Sequence, residues 1–248
     1  MATDSLRVDV IGLGGIGGHL APNLCRFLHA TRRRAHVVLI DGDDYEERNR
    51  SRMQFAAPGP KACVVAEELA ARFGDGLTIE PVPEYVTDTN VAHLIREGDV
   101  VFLAVDNHAT RRLVDARCAA LASVTLVSGG NDGVEDGRDG TYGNVQVVRR
   151  AGGVALTHAL AELHPEIRTP ADRRPDERGC EELAVAGAEQ LLFTNLFVSA
   201  VMLNAFWGIE HGADPYEEVY LDIRKNVARP VARKIGDRTA DGRANPSP

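Results

Sequence analysis

Short apolar runs rich in β-branched residues recur through the first half of the chain, and a helical pattern follows nearly every one. Residues 8–11, 36–40, 77–82, 99–105 and 124–127 read as strands. A strand with one wet face alternates polar and apolar residues, whereas these runs are almost continuous, so both of their faces must be covered. Residues 15–29 (apolar at Leu20, Leu24, Phe27 and Leu28), the alanine-rich stretch 61–73, and 110–122 read as helices. Strands separated by helices can run parallel, because the crossover is long enough to bring the chain back to the same end. The expectation is an α/β fold with a mainly parallel sheet and helices on both faces.

The pattern changes after residue 128. Residues 128–142 are rich in Gly and Asp and read as loop, 143–148 as a strand. Residues 149–182 carry many Pro, Arg and Asp, with Pro165, Pro170 and Pro175 among them, and read as an irregular crossover segment. Residues 184–209 return to a long apolar helix suited to core packing, and 219–223 to a strand that closes the sheet as an antiparallel C-terminal extension. One domain is expected over 1–235, in two halves (1–128 and 129–235), with a disordered tail over 236–248.

A formal net charge of −8 argues against general nucleic-acid binding or an anionic membrane surface. No apolar run approaches the roughly 20 residues that span a bilayer. The first six residues lack the basic-then-apolar order of a secretory signal. Cys25, Cys63, Cys118 and Cys180 are scattered without pairing logic, which suits a reducing compartment. A cytoplasmic protein is expected, with neither nucleic acid nor membrane as partner.

Gly12-Leu13-Gly14-Gly15-Ile16-Gly17 falls between the first strand and the first helix. Glycines there permit a tight turn and let backbone N–H groups approach a phosphate at the positive end of the helix. Asp41 follows the second strand, where a carboxylate can grip ribose hydroxyls. Together they point to a Rossmann-like nucleotide site. NAD and ATP both remain open at this stage, and with NAD an oxidoreductase.

Further residues separate the two. Asp41-Gly42-Asp43-Asp44, then Asn49, Arg52 and Gln54, resemble the D-x-D…N-x-x-R-Q pattern of the ubiquitin-activating-enzyme-like (ThiF/MoeB) family. Lys61, after Pro58-Gly59-Pro60, matches that family's lysine at the start of the next helix, and Asp106-Asn107…Arg111 resembles its D-N-x-x-x-R. With the glycine turn, these cover about the first 115 residues in the family's order. The resemblance implies ATP-dependent adenylation of a carboxylate, with ATP bound by Gly12, Gly14, Gly15, Gly17, Asp41, Asp43, Asn49, Asn107 and Arg111. Arg52 can pair with phosphate oxygens and Lys61 supplies a compact positive charge. Asp106 can hold Mg²⁺, which neutralises charge developing on the phosphates. Asp106 could alternatively cap the following helix.

The implied substrate is the C-terminal carboxylate of a small ubiquitin-like or sulfur-carrier protein, or of a peptide, and the implied assembly is a homodimer. A non-catalytic scaffold of the same fold is a further alternative. Three departures from the family are visible. The two C-x-x-C pairs of many relatives are missing, so no zinc site is expected. Only Met1 to Leu6 precede the first strand, with Arg7 at its edge, so the role of the arginine that relatives donate from an N-terminal arm is expected to be either lost or taken by another arginine. Met53 intervenes between Arg52 and Gln54. Cys180 lies in Glu177-Arg178-Gly179-Cys180-Glu181-Glu182, a crossover region comparable to that of the catalytic cysteine in thioester-forming relatives. Arg178 favours a thiolate there and the two glutamates oppose one, so Cys180 stays open between catalytic acceptor and structural residue. The arrangement Cys180…Ala184…Gln190…Phe193…Asn195 also resembles PRTRC-type ThiF proteins.

Overall fold

A computed structural model of the chain describes residues 5–51, 55–135, 138–177, 190–213 and 216–231. Strands β1 (Leu6–Ile11), β2 (Ala35–Ile40), β3 (Leu77–Val82), β4 (Val100–Leu103) and β5 (Val124–Asn131) carry the first half. Helices α1 (Gly17–Ala30), α2 (Lys61–Phe73) and α3 (His108–Ala119) lie between them. Strands β6 (Tyr142–Ala151), β7 (Val154–Ala155), β8 (Glu218–Asp222) and β9 (Val227–Val231), with helix α4 (Leu192–Glu210), make the second half.

One sheet runs β9-β8-β6-β5-β4-β1-β2-β3, with β7 paired to β6 off that path. Neighbours from β3 to β5 are parallel, and β5-β6, β6-β8 and β8-β9 are antiparallel. The mainly parallel sheet with an antiparallel extension is the architecture the apolar runs predict. One face is covered by α1, α2 and α4, whose Leu20, Leu24, Val65, Leu69, Val198, Met202 and Phe206 meet Val8, Val10, Val37 and Val145. The other face takes α3 and short helices at Val91–Leu94, Leu160–Leu163 and Pro165–Arg168, which bury Val114, Leu160 and Ile167 against Val38, Val101 and Leu126. Each such side chain stabilises the fold by roughly 1.5–3 kcal/mol when fully buried. Cys25 and Cys118 belong to these two cores, and burial pushes both thiols up to about 12.

Two boundaries differ from the expectation, the first for a packing reason. β5 continues past Val127 to Asn131, paired with β6 from Val124–Arg150 to Asn131–Gly143. Its Ser128-Gly129-Gly130 end looks like loop because α4 lies directly on the backbone there. A Cβ at Gly129 would strike Met202, and one at Gly143 would lie 2.6 Å from Val198. Helix α4 begins at Leu192, after an extended Leu191; residues 184–189 of the expected helix, and the tail 236–248, lie outside the described residues. α4 is long and apolar enough, by length and composition, to cross a bilayer, but its inner face is core. Its outer face exposes Phe193, Leu196 and Trp207.

Candidate functional site

From β1 the chain proceeds to β2 and β3 on one side, then β4 returns on the other side of β1. Such a reversal opens a crevice at the carboxyl ends of the two strands, where α/β sheets bind ligands. The glycine turn fills that position. Gly12 has φ +89°, and a Cβ there would stand 2.7 Å from the Ala104 carbonyl oxygen at the end of β4. A Cβ at Gly17 would run into the Gly12 carbonyl. Both glycines are required by space, and Gly12 also by conformation. The amides of Gly14, Gly15 and Ile16 find no acceptor among the described residues. They sit at the N-terminus of α1, which no side chain caps. An uncapped helix start with free amides is an anion site by geometry and by dipole.

Asp41 clamps this turn to the end of β2. Its Oδ2 accepts the Leu13 amide at 2.6 Å and its Oδ1 the Asp43 amide at 2.8 Å. Burial pushes its carboxyl up, while the Lys61 ammonium opposes the shift. Lys61, the first residue of α2, brings Nζ to 2.9 Å from Asp43 and 3.9 Å from Asp41, with only 9 % of its side chain exposed. Burial disfavours that ammonium, but the two carboxylates outweigh it, with Asp106 contributing, so Lys61 stays charged well above neutral pH. The Asp43 carboxylate also accepts the Tyr85 hydroxyl, and the Tyr85 ring lies so close to Gly42 that a Cβ there would be 2.6 Å from its Cγ. Tyr45 is buried beneath, stacked on Phe55 and donating to the Leu13 carbonyl at 2.9 Å. The sequence marks Tyr85 only as an aromatic residue just after a strand at the carboxyl edge.

Asp106 follows β4 and is exposed. The cap of α3 is its neighbour Asn107, whose Oδ1 accepts the Thr110 amide at 2.8 Å. The Asp106 carboxylate is therefore not the helix cap; Asn107 Nδ2 approaches it at 3.4 Å. The remaining first-turn amides, His108 and Ala109, are held by Asp172 of the crossover segment at 2.7 and 2.9 Å. Arg111 is buried and donates to Val105 O, Ser128 Oγ and Gly129 O at 2.7, 2.5 and 2.7 Å. Burial pushes its guanidinium down to about 10.

Of the residues singled out in the sequence, Gly12, Gly14, Gly15, Gly17, Asp41, Asp43, Lys61 and Asp106 therefore meet at one edge. Asn107 and Arg111 instead bind the protein's own backbone around Asp106. Asn49, in the 3-10 turn Glu47–Ser51, accepts the Glu46 amide on its Oδ1 at 2.8 Å. Arg52, Gln54 and Cys180 lie outside the described residues. Among the described residues no cluster of three His, Cys, Asp or Glu could hold a metal alone. A magnesium ion shared with phosphates needs fewer protein ligands, one or two carboxylates, and the exposed Asp106 carboxylate fits that demand.

A turn of free amides, a buried lysine and an exposed acid now stand in the order that the sequence resemblance implies. The sequence profile of the ThiF family matches residues 2–206. The chain belongs to the ThiF family. Among curated proteins, the SAMP-activating enzyme E1 of Haloferax volcanii is 34% identical over 129 residues, covering 50% of this chain and 45% of that protein. The HesA protein of Leptolyngbya boryana is 27% identical over 134 residues, covering 53% and 46%. The chain thus spans about half the length of these relatives or less. Among solved structures, E. coli MccB with ATP superposes at a TM-score of 0.66 with 15% identity, covering 91% of this chain and 63% of that one. PaaA gives 0.62 and 15%, covering 90% and 71%. These likenesses carry the ThiF fold across nearly the whole chain, beyond the half aligned with the curated relatives.

Proposed function

We propose that this ThiF-family chain is an ATP-dependent adenylyltransferase that activates the C-terminal carboxylate of a small ubiquitin-like or sulfur-carrier protein. The observation that carries the reading is the meeting of three amides without an acceptor among the described residues, one buried ammonium and one exposed carboxylate at the switch point of the sheet. Adenosine lies with its ribose toward Asp41 and Asp43, and its phosphates lie over Gly14, Gly15 and Ile16. A carboxylate oxygen attacks the α-phosphorus; the new O–P bond forms as the bond to the β-phosphate oxygen breaks, and pyrophosphate leaves with that electron pair. The nucleophile is already ionised at neutral pH, so no protein base is required. Lys61 and the turn amides balance charge on the phosphoryl oxygens in a partly desolvated site, where such donors act strongly. Asp106 would hold Mg²⁺, which would supply positive charge to the departing pyrophosphate. Arg52 is assigned a phosphate contact on sequence pattern alone.

The names of the relatives support the substrate class: one activates SAMP, and MccB structures include the MccA peptide. A peptide substrate is the second form of this reading. Cys180 as acceptor of the activated acyl group, a homodimer in which the exposed Phe193, Leu196 and Trp207 of α4 take part, and a cytoplasmic location complete the proposal. The test is exchange of labelled pyrophosphate into ATP. Exchange that depends on a carrier ending in Gly-Gly supports the reading; ATP binding without exchange, for carriers and peptides alike, rejects it.

A further inference from the structure

Three carboxamides lie in file against the glycine turn. Asn131, the last residue of β5, donates Nδ2 to Asn195 Oδ1 at 2.6 Å. Asn195, fully buried in the first turn of α4, donates Nδ2 to Gln190 Oε1 at 3.2 Å. The pair rests on Gly15: a Cβ there would strike Asn195 Nδ2 and stand 2.6 Å from Gln190 Oε1. Gly15 has no positive φ, so its glycine is required by this contact rather than by backbone conformation. The file has a direction. Each oxygen accepts from the preceding amide, so the last group, the Nε2 of Gln190, keeps two N–H donors with no acceptor among the described residues.

The Gln190 carboxamide thus stands at Gly15, whose amide, like those of Gly14 and Ile16, has no acceptor among the described residues. A concentration of uncharged donors without acceptors selects an oxyanion. Position selects which one. Along the carboxyl edge the order is β2, β1, β4, β5, so Asp41 lies on one side of the turn and Asn131 on the other. With the ribose at Asp41, the outer phosphates run toward β4 and β5. We infer that Gln190 binds β- or γ-phosphoryl oxygens of ATP through Nε2, and that Asn195 is a positioning residue that orients Gln190 from Asn131. This rests on the nucleotide reading above.

The test is calorimetric titration of the full chain with Mg-ATP and with AMP, for the wild type, Gln190→Ala, Gln190→Glu and Asn195→Asp. Gln190→Glu keeps the oxygen that Asn195 needs but replaces the free donor with a negative charge. The expectation is about tenfold weaker ATP for Gln190→Ala, since a hydrogen bond to a charged group contributes on that scale. Gln190→Glu should lose more, AMP affinity should hold in both, and Asn195→Asp should follow Gln190→Ala. Wild-type ATP affinity in both Gln190 variants overturns the assignment, as does an equal loss of ATP and AMP, which is what a structural contact alone would give. Should Asn195→Asp fail to fold, the two Gln190 variants decide. Failure of the wild type to bind ATP rejects the nucleotide reading itself and the inference with it.

Discussion

Replacing Lys61 by Met keeps the bulk of the stem and removes the charge, and its cost can be worked from the geometry. Asp41 has 8 % of its side chain exposed and loses its counter-charge at 3.9 Å. At an effective dielectric of about 20, that interaction is worth about 4 kcal/mol. Asp43 is 46 % exposed on its side chain, so its pair at 2.9 Å adds no more than about 1 kcal/mol. Breaking a buried pair from one side costs about 3–5 kcal/mol, on the same scale. The loss must depend on pH in a stated direction. Burial already raises the Asp41 carboxyl above its ordinary 3.8, and removing Lys61 raises it further. A carboxyl raised in the folded state contributes stability that is complete in acid and is lost as pH rises through its folded value. Urea unfolding should therefore show a larger deficit for Lys61→Met at pH 8 than at pH 5. Adding Asp41→Asn should restore much of the loss at pH 8 without restoring pyrophosphate exchange. Equal stability of Lys61→Met and wild type at pH 8, with no dependence on pH, refutes the reasoning.

Asp106 and Asn107 should separate cleanly by assay. Asp106→Asn abolishes pyrophosphate exchange with the melting temperature unchanged, whereas Asn107→Ala costs about 1 kcal/mol in denaturant unfolding through loss of the cap. Arg111→Met should destabilise by about 3 kcal/mol or more, because three acceptors around the base of the site, among them Val105 O and Gly129 O, lose one guanidinium donor; unchanged unfolding would contradict its structural assignment. Asp9, fully buried on β1 beside Asp99 and 3.2 Å from Arg7, has its carboxyl pushed up by burial, then by Asp99. By the same sign rule, stability falls as pH rises above the ordinary carboxylate range, and Asp9→Asn should flatten that slope in unfolding titrations from pH 5 to 9.

The parallel strands and the glycine turn were legible because their signals are local: apolar runs too continuous for an exposed face, and glycines where strand meets helix. Lys61 was legible through its place at a helix start. The relation of Asp106 to Asn107 was not, since adjacent carboxylate and carboxamide can each cap a helix and the choice depends on the folded loop around them. Tyr85 on Asp43 and Asp172 on the α3 amides join segments 42 and 64 residues apart, through loops with no periodicity to announce them. The end of β5 was hidden because glycines that admit Met202 and Val198 look like turn residues. Edge strand β9 was missed because it is exposed throughout and carries Pro230, so it shows neither alternation nor an apolar run.

The most direct measurement is a crystal structure of the chain with Mg²⁺ and a non-hydrolysable ATP analogue. Phosphoryl oxygens on the Gly14, Gly15 and Ile16 amides, with Lys61 Nζ in contact and the metal on Asp106, are the predicted result. Phosphates bound away from the turn, or a metal held without Asp106, would contradict it.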